Sequence, residues 1–360
     1  MGKTKEEREK KREEKRKQRD EERAKKREEK NKDNDSKDDK KEKDPKPYEV
    51  RKDPVVFPNT PFILKLNVEE LKTLKMSTPN DTTTWNIVKV GHGKDNDLHE
   101  ITTFDNQKVI KVIYPKNSYK PSASPIGGIG IYCSPVTTFP SAKNIKLSYQ
   151  LYFDKTFDPQ LGGKLPGIYM GPPGASGGRH SNDNASCRIM WRTFANQYIK
   201  AEMEELNNKK IKIEMPSKDE MKKLKEQAMI DGEIECEAYV YNSDDQDESY
   251  SQIPGFVPNE KFGDSLWRGV MKFKKNQWNK IDIDVVMNTY TNGKANKDGV
   301  LSITINGNNF RYDKMKWTEN KCNIEGITFD TFFGGGSNIY ASPVDTCIYF
   351  NDFTVTHENI

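Results

Sequence analysis

Past residue 47 the chain is written in short runs in which apolar and polar side chains alternate, the period of a strand with one buried face. Leu147, Tyr149, Leu151 and Phe153 alternate with Ser148, Gln150 and Tyr152. Ile281, Ile283 and Val285 alternate with Asp282 and Asp284. Leu301, Ile303 and Ile305 run into Asn306-Gly307, a pair that favours a tight hairpin turn. Ile348 and Phe350 change parity to Phe353 and Val355, which predicts a β-bulge between them. Many such strands, separated by turn residues, predict an all-β protein: an antiparallel β-sandwich whose two sheets each bury one face.

Two segments read differently. Ser217 to Glu220 forms a capping box after Pro216, and Met221, Leu224 and Ala228 follow at helical spacing before Gly232. This predicts one helix inside a charged surface insertion at about 193–236. The N-terminal segment is the other exception. Its only apolar residues before Pro47 are Met1 and Ala24, while Glu6–Lys10, Glu7–Lys11, Glu13–Lys17, Glu21–Lys25 and Glu22–Lys26 repeat at i,i+4. Each pair contributes about 0.2–0.5 kcal/mol, enough together to predict a solvated single helix from Lys3 to Lys30. Residues 31–47 then read as a disordered linker.

Charge separates the same two parts. Of 59 Lys/Arg and 55 Asp/Glu in 360 residues, residues 1–47 hold 21 and 16, a net of +5. The other 313 hold 38 and 39, a net of −1. The plan is therefore a charged tail over 1–47 and a near-neutral sandwich domain over 48–360, and charge gives no support for a globular nucleic-acid-binding domain. No apolar run approaches the roughly 20 residues of a membrane-spanning helix. Cys133, Cys187, Cys236, Cys322 and Cys347 are odd in number, widely spaced and without a Cys-x-x-Cys pair, which argues against a zinc site and a disulfide scaffold. His92, His99, His180 and His357 form no ligand-spaced pair, so neither a metal nor another cofactor is expected.

Candidate chemistry is densest from Gly162 to Arg192, GGKLPGIYMGPPGASGGRHSNDNASCRIMWR. Lys164 follows Gly162-Gly163, and Ser176 lies in the small-residue loop Gly174–Gly178, where the backbone can approach a ligand closely. Ser186, Arg188 and Met190 alternate with Cys187 and Ile189, and Glu237, Tyr239 and Tyr241 alternate the same way downstream. One sheet face could thus carry Lys, Ser, Arg and two Tyr without His, Cys or metal. That inventory suits β-elimination on a uronate polymer: a cation neutralises the carboxylate, which makes the weakly acidic C5 proton removable. A tyrosine whose pKa neighbouring cations lower takes the proton, and it or a second tyrosine protonates the leaving oxygen. The plain alternative is that Lys164 and Arg188 are surface charges and the tyrosines a cross-strand packing pair.

The pieces VIYPKNSYKPS, GGIGIY, GGKLPGIY, ASGG, SCRIMWR and EAYVY, then DGVLSITING, GITFDTFFGGG and DTCIYFNDF, occur in that order between Trp85 and Phe353. Together they resemble polysaccharide lyase family 14, which includes alginate and glucuronan lyases of molluscs, bacteria and large algal viruses. The resemblance implies a β-jelly roll with an open cleft. It implies Lys164 and Arg188 on the substrate carboxylate, Tyr239 or Tyr241 as base and acid, and Ser186, with Ser176 and Gly163, in substrate binding. It leaves open whether Lys164 neutralises the carboxylate or takes the proton itself. In the family the tyrosines follow the arginine much more closely, whereas 50 residues separate Arg188 from Tyr239 here. A shifted alignment would place Glu235 and Cys236 there instead, but only Tyr239 and Tyr241 fit Glu-x-Tyr-x-Tyr.

The expected partner is an acidic polysaccharide, with the tail free to contact a polyanion or a particle surface. The rival reading is an inactive acidic-glycan-binding or virion structural protein that keeps the jelly roll. The N-terminus lacks the apolar core of a secretion signal, which places the protein in a virion or host cell if viral, and otherwise inside the cell. The tryptophans Trp191, Trp267, Trp278 and Trp317 read as packing residues, Gly334–Gly336 as a tight turn and Asp345 as a turn residue.

Overall fold

The computed structural model describes residues 62–78, 83–135, 143–171, 182–193, 232–259, 262–336 and 338–357. The tail, Ser176 and the segment expected to be helical before Gly232 lie outside the described residues. The strands in chain order are β1 (Phe62–Lys65), β2 (Ile87–His92), β3 (His99–Phe104), β4 (Gln107–Tyr114), β5 (Ile129–Cys133), β6 (Asn144–Phe153), β7 (Gly162–Met170), β8 (Ala185–Arg192) and β9 (Glu233–Tyr241). They continue as β10 (Asp264–Lys274), β11 (Trp278–Val286), β12 (Tyr290–Thr291), β13 (Lys294–Ala295), β14 (Gly299–Ile305), β15 (Asn308–Met315), β16 (Ile324–Phe333) and β17 (Thr346–His357). Helix among the described residues is limited to short 3-10 turns.

Two antiparallel sheets form a jelly-roll-like sandwich. Sheet A runs β15-β14-β11-β6-β17-β4-β3, with β1 also on β17, and sheet B runs β10-β9-β8-β7-β16-β5-β2. The alternating runs become the central strands. In β6, Leu147, Leu151 and Phe153 are fully buried and their neighbours are half-buried, and β11 repeats the pattern beside it. Asn306 and Gly307 take φ of +51° and +85° and join β14 to β15, as the turn chemistry requires. In β17 the register shifts between Asn351 and Thr354, with Asp352 at φ +53°, so the parity change is a bulge.

The inner faces share one core. Trp191 packs edge-on against Tyr114, Phe153, Phe157 and Phe333. Trp191 and Trp317 are fully buried and donate to the carbonyls of Pro159 and Val286; Trp267 is also buried. Trp278 is half-buried and donates to Asp105. Cys187 and Cys236 belong to the core, which makes both useless as site residues. Residues 233–236, at the end of the expected insertion, belong to β9, from which Ile234 and Cys236 point inward. Asp345 accepts from the Lys116 amide just before β17, a loop-bracing role.

Candidate active site

The site lies on the outer face of sheet B, where strand alternation sets the neighbours. Because Cys187, Ile189 and Trp191 fill the core, Ser186, Arg188, Met190 and Arg192 face outward on β8. Core residues Cys236, Ala238 and Val240 turn Glu237, Tyr239 and Tyr241 outward on β9. The register then pairs Ser186 with Tyr241, Arg188 with Tyr239 and Met190 with Glu237. On the other side of β8, Lys164 pairs with Met190 and Gly167 with Arg188. The 50 residues between Arg188 and Tyr239 thus close to a cross-strand pair, since β8 and β9 are neighbours.

These side chains are buried although they face away from the core. Lys164 is 9% exposed, Arg188 3% and Tyr239 7%. The Lys164 amine donates to Met190 Sδ at 2.9 Å and sits 3.2 Å from the centroid of the Tyr239 ring. Burial, and then the nearby Arg188 and Arg192, push the Lys164 pKa well below that of an ordinary lysine, against weaker pulls from Glu237 and Asp330. This favours the neutral form of the amine.

Tyr239 departs from expectation. Neighbouring cations were expected to lower its pKa, but burial, with Tyr241 beside it, pushes it well up and outweighs Arg192 and Arg188. Both arginines are already engaged by carboxylates, which blunts their pull. The Tyr239 oxygen accepts from the Gly263 amide at 3.2 Å, and its side chain is also hydrogen-bonded to that of Tyr241. The two tyrosine rings meet edge-to-face, 5.4 Å apart at 86°.

Four charged groups that were not among the expected site residues complete the site. Asp330 on β16 holds Arg188 Nη1 at 2.5 Å. Burial lowers the Arg188 pKa, but Asp330 and the surrounding tyrosines more than offset it and the net direction is upward. Glu237, fully buried, accepts from Arg192 at 2.5 Å, and its second oxygen lies 3.4 Å from Arg268 Nε as an ion-pair contact without hydrogen-bond geometry. Burial raises the Glu237 pKa, yet Arg192 and Arg268 together leave it below the ordinary carboxylate value. Arg268 is brought down to about 10 by burial and by Arg192. Arg192 and Glu237 fall on the alternation that gave Arg188 and Tyr239, so the signal for them was present. Arg268 follows Trp267, whose φ is +54°, inside an irregular stretch of β10, and parity reasoning fails there.

The substrate-binding candidates fare unequally. The hydroxyl of Ser186 is buried beside Tyr241 with no hydrogen-bond partner among the described residues. Gly163 is turned to the core: a Cβ there would lie 2.0 Å from the Trp191 indole, so glycine is needed for packing and its side-chain position faces away from the outer-face site. No group of three His, Cys, Asp or Glu with metal-site geometry occurs among the described residues. No helix among them is long and apolar enough to cross a membrane.

An antiparallel sandwich carrying Lys, Arg and Tyr on one sheet face has the makings of a carbohydrate-active lyase. The polysaccharide lyase 14 family model matches residues 102–226 and 224–353, and the chain belongs to that family. Among solved structures, a PL-14 alginate lyase from Aplysia kurodai is similar at 24% identity over 82% of this chain and 98% of that one, with a TM-score of 0.58. An alginate lyase from a Chlorella virus is similar at 26% identity over 76% and 93%, with a TM-score of 0.56. A comparison with curated proteins found no match.

Proposed function

We propose that the protein cleaves a uronate-containing polysaccharide by metal-independent β-elimination on the outer face of sheet B. The observation that carries this reading is the pairing of Lys164 with Tyr239: an amine of depressed pKa against a phenol of raised pKa, beside a carboxylate-anchored arginine. Arg188 takes the substrate carboxylate and stabilises the enolate-like charge that forms there. The neutral Lys164 amine accepts the C5 proton, and that electron pair becomes the C4–C5 double bond. The C4–O bond breaks, and Tyr239 gives its proton to the departing oxygen. Ser186 offers its hydroxyl for positioning, and Tyr241 supports Tyr239 from the next outward position on β9.

The test is ultraviolet absorbance of the unsaturated product on alginate, glucuronan and glycosaminoglycans, with Lys164→Ala as control. Product from the wild type and none from the variant is expected; a folded wild type inactive on every polymer sinks the reading. A second reading, an acidic-glycan-binding protein without turnover, draws on the burial of the Lys164 amine between Met190 and Tyr239. Saturable binding without product would identify it.

A further inference from the structure

Three side chains from three separated strands meet in a line across the outer face of sheet B. Arg188 stands on β8, Asp330 on β16 and His92 on β2, with β7 between the first two and β5 between the last two. A side chain can cross an intervening strand only where that strand offers none of its own, and glycine stands at both crossings. A Cβ on Gly167 would lie 2.8 Å from Arg188 Cγ. One on Gly130 would lie 2.3 Å from His92 Nδ1 and 3.0 Å from Asp330 Oδ1. Through these gaps Asp330 reaches Arg188 with Oδ2 at 2.5 Å, while its Oδ1 lies 3.7 Å from His92 Nδ1. His92 is buried edge-on against Phe332, 5.7 Å away at 81°.

Stability does not account for this arrangement. A buried ion pair gains little over apolar packing of the same volume, and unmet buried donors cost free energy. Yet Arg188 Nε and His92 Nε2 are both buried with no hydrogen-bond partner among the described residues. We propose that His92, Asp330 and Arg188 act as one positioning unit: His92 seats Asp330, and Asp330 fixes one Nη corner of the guanidinium so that its Nε edge meets a uronate carboxylate. What the guanidinium meets rests on the lyase reading; the coupling among the three residues does not. The charged group facing the imidazole is Asp330 from β16, with the Thr331 backbone beside it and Arg188 beyond. Burial keeps His92 below the usual histidine pKa, against the pull of Asp330. A neutral ring leaves the Asp330 charge to Arg188.

The experiment titrates His92 by NMR in the full-length protein without substrate, assigned by His92→Gln, and follows lyase kinetics in the same variants. Asp330→Asn should lower the His92 pKa and Arg188→Met should raise it, each by about half a unit or more. Asp330→Asn should lower kcat/KM about 100-fold, the cost of a misplaced group, with Asp330→Glu recovering part. Should Asp330→Asn not fold, His92→Gln leaves the ion pair whole and should lower kcat/KM about tenfold at an unchanged unfolding midpoint. An identical His92 titration in both charge variants overturns the unit, as does wild-type kcat/KM in a folded Asp330→Asn or in His92→Gln. If the wild type makes no product on any polymer, the lyase reading fails on its own. The His92 titration then decides the coupling. Presentation of the guanidinium is decided by whether polyuronate shifts the Arg188 Nε–H resonance, as expected, or leaves it in place, which overturns it.

Discussion

Lys164 Nζ lies 3.2 Å from the centroid of the Tyr239 ring, so the amine rests on the flat of the side chain whose phenol completes the proposed proton transfer. The contact pulls two ways. A protonated amine over a desolvated ring gains about 2 kcal/mol of cation–π attraction, which favours the charged form. Burial and the two arginines act in the opposite sense and depress the pKa. The ring is thus a seat from which the amine can be lifted by substrate, at less cost than from a carboxylate.

This makes Lys164→Met a two-sided test. Activity should fall by at least about 10³-fold, since the base is gone. Stability should rise, because a lysine whose folded pKa is depressed destabilises the fold wherever the unfolded chain would be protonated. With the proton count higher in the unfolded state, wild-type stability falls by up to about 1.4 kcal/mol per pH unit as pH drops from the ordinary lysine range toward the folded value. The gain of the variant should therefore grow over that window and then level off, as read by denaturant unfolding at stepped pH. A variant less stable than wild type at neutral pH would show that Lys164 is held charged.

Tyr239→Phe keeps the ring under the amine and removes only the proton. A kcat loss of about 10²–10⁴-fold is expected, with the unfolding midpoint nearly unchanged. In the wild type, the acid limb of kcat/KM should report Lys164, below the usual lysine pKa, and the alkaline limb Tyr239, above the usual tyrosine pKa. The phenylalanine variant should keep the acid limb and lose the alkaline one. Loss of the acid limb instead would transfer the role of base to Tyr239.

Local periodicity made much of this legible. The strands containing Leu147, Ile283, Ile303 and Phe353, the turn at Asn306-Gly307 and the bulge near Asp352 all follow from alternation and turn chemistry. So does the outward placement of Ser186 and Arg188, and of Tyr239 and Tyr241. The carboxylates were harder to find because pairing across strands is not written locally. Asp330 lies 142 residues from Arg188 and reaches it across β7. Only the strand order reveals that Gly167 and Gly130 clear the way. The direction of the Tyr239 pKa was missed for a related reason: counting nearby cations does not show how deeply a ring is buried.

Gly167→Ala tests the first of those gaps. The added methyl would lie 2.0 Å from the Cys187 carbonyl oxygen, 2.7 Å from Arg188 Cα and 2.8 Å from Arg188 Cγ, so β7 and β8 must part and Arg188 is displaced with its strand. Overpacking of this kind costs about 1–3 kcal/mol, and the loss of kcat/KM should exceed what the lost stability explains at temperatures where the variant is folded. Arg188→Lys in the same background should add little further loss, because the arginine is already displaced. Independent, multiplying losses would separate the glycine from the arginine's position.

Glu237→Gln should be the most damaging single change to stability. The carboxylate is completely buried between Arg192 and Arg268, and its removal leaves two buried cations facing each other. Breaking a buried pair in this way costs about 3–5 kcal/mol. The pH dependence has a definite sign. The folded Glu237 pKa lies below the ordinary carboxylate value, so its contribution is fully present above that value and is lost as pH falls through the folded pKa. Wild type and Glu237→Gln should therefore differ most at neutral pH and converge in acid, when unfolding midpoints are compared at stepped pH. A constant difference down to acid would mean that Glu237 is protonated in the folded protein. Arg192 and Arg268 would then need another counter-charge, for which Glu235, opposite Arg192 on β9, is the nearest candidate in the register.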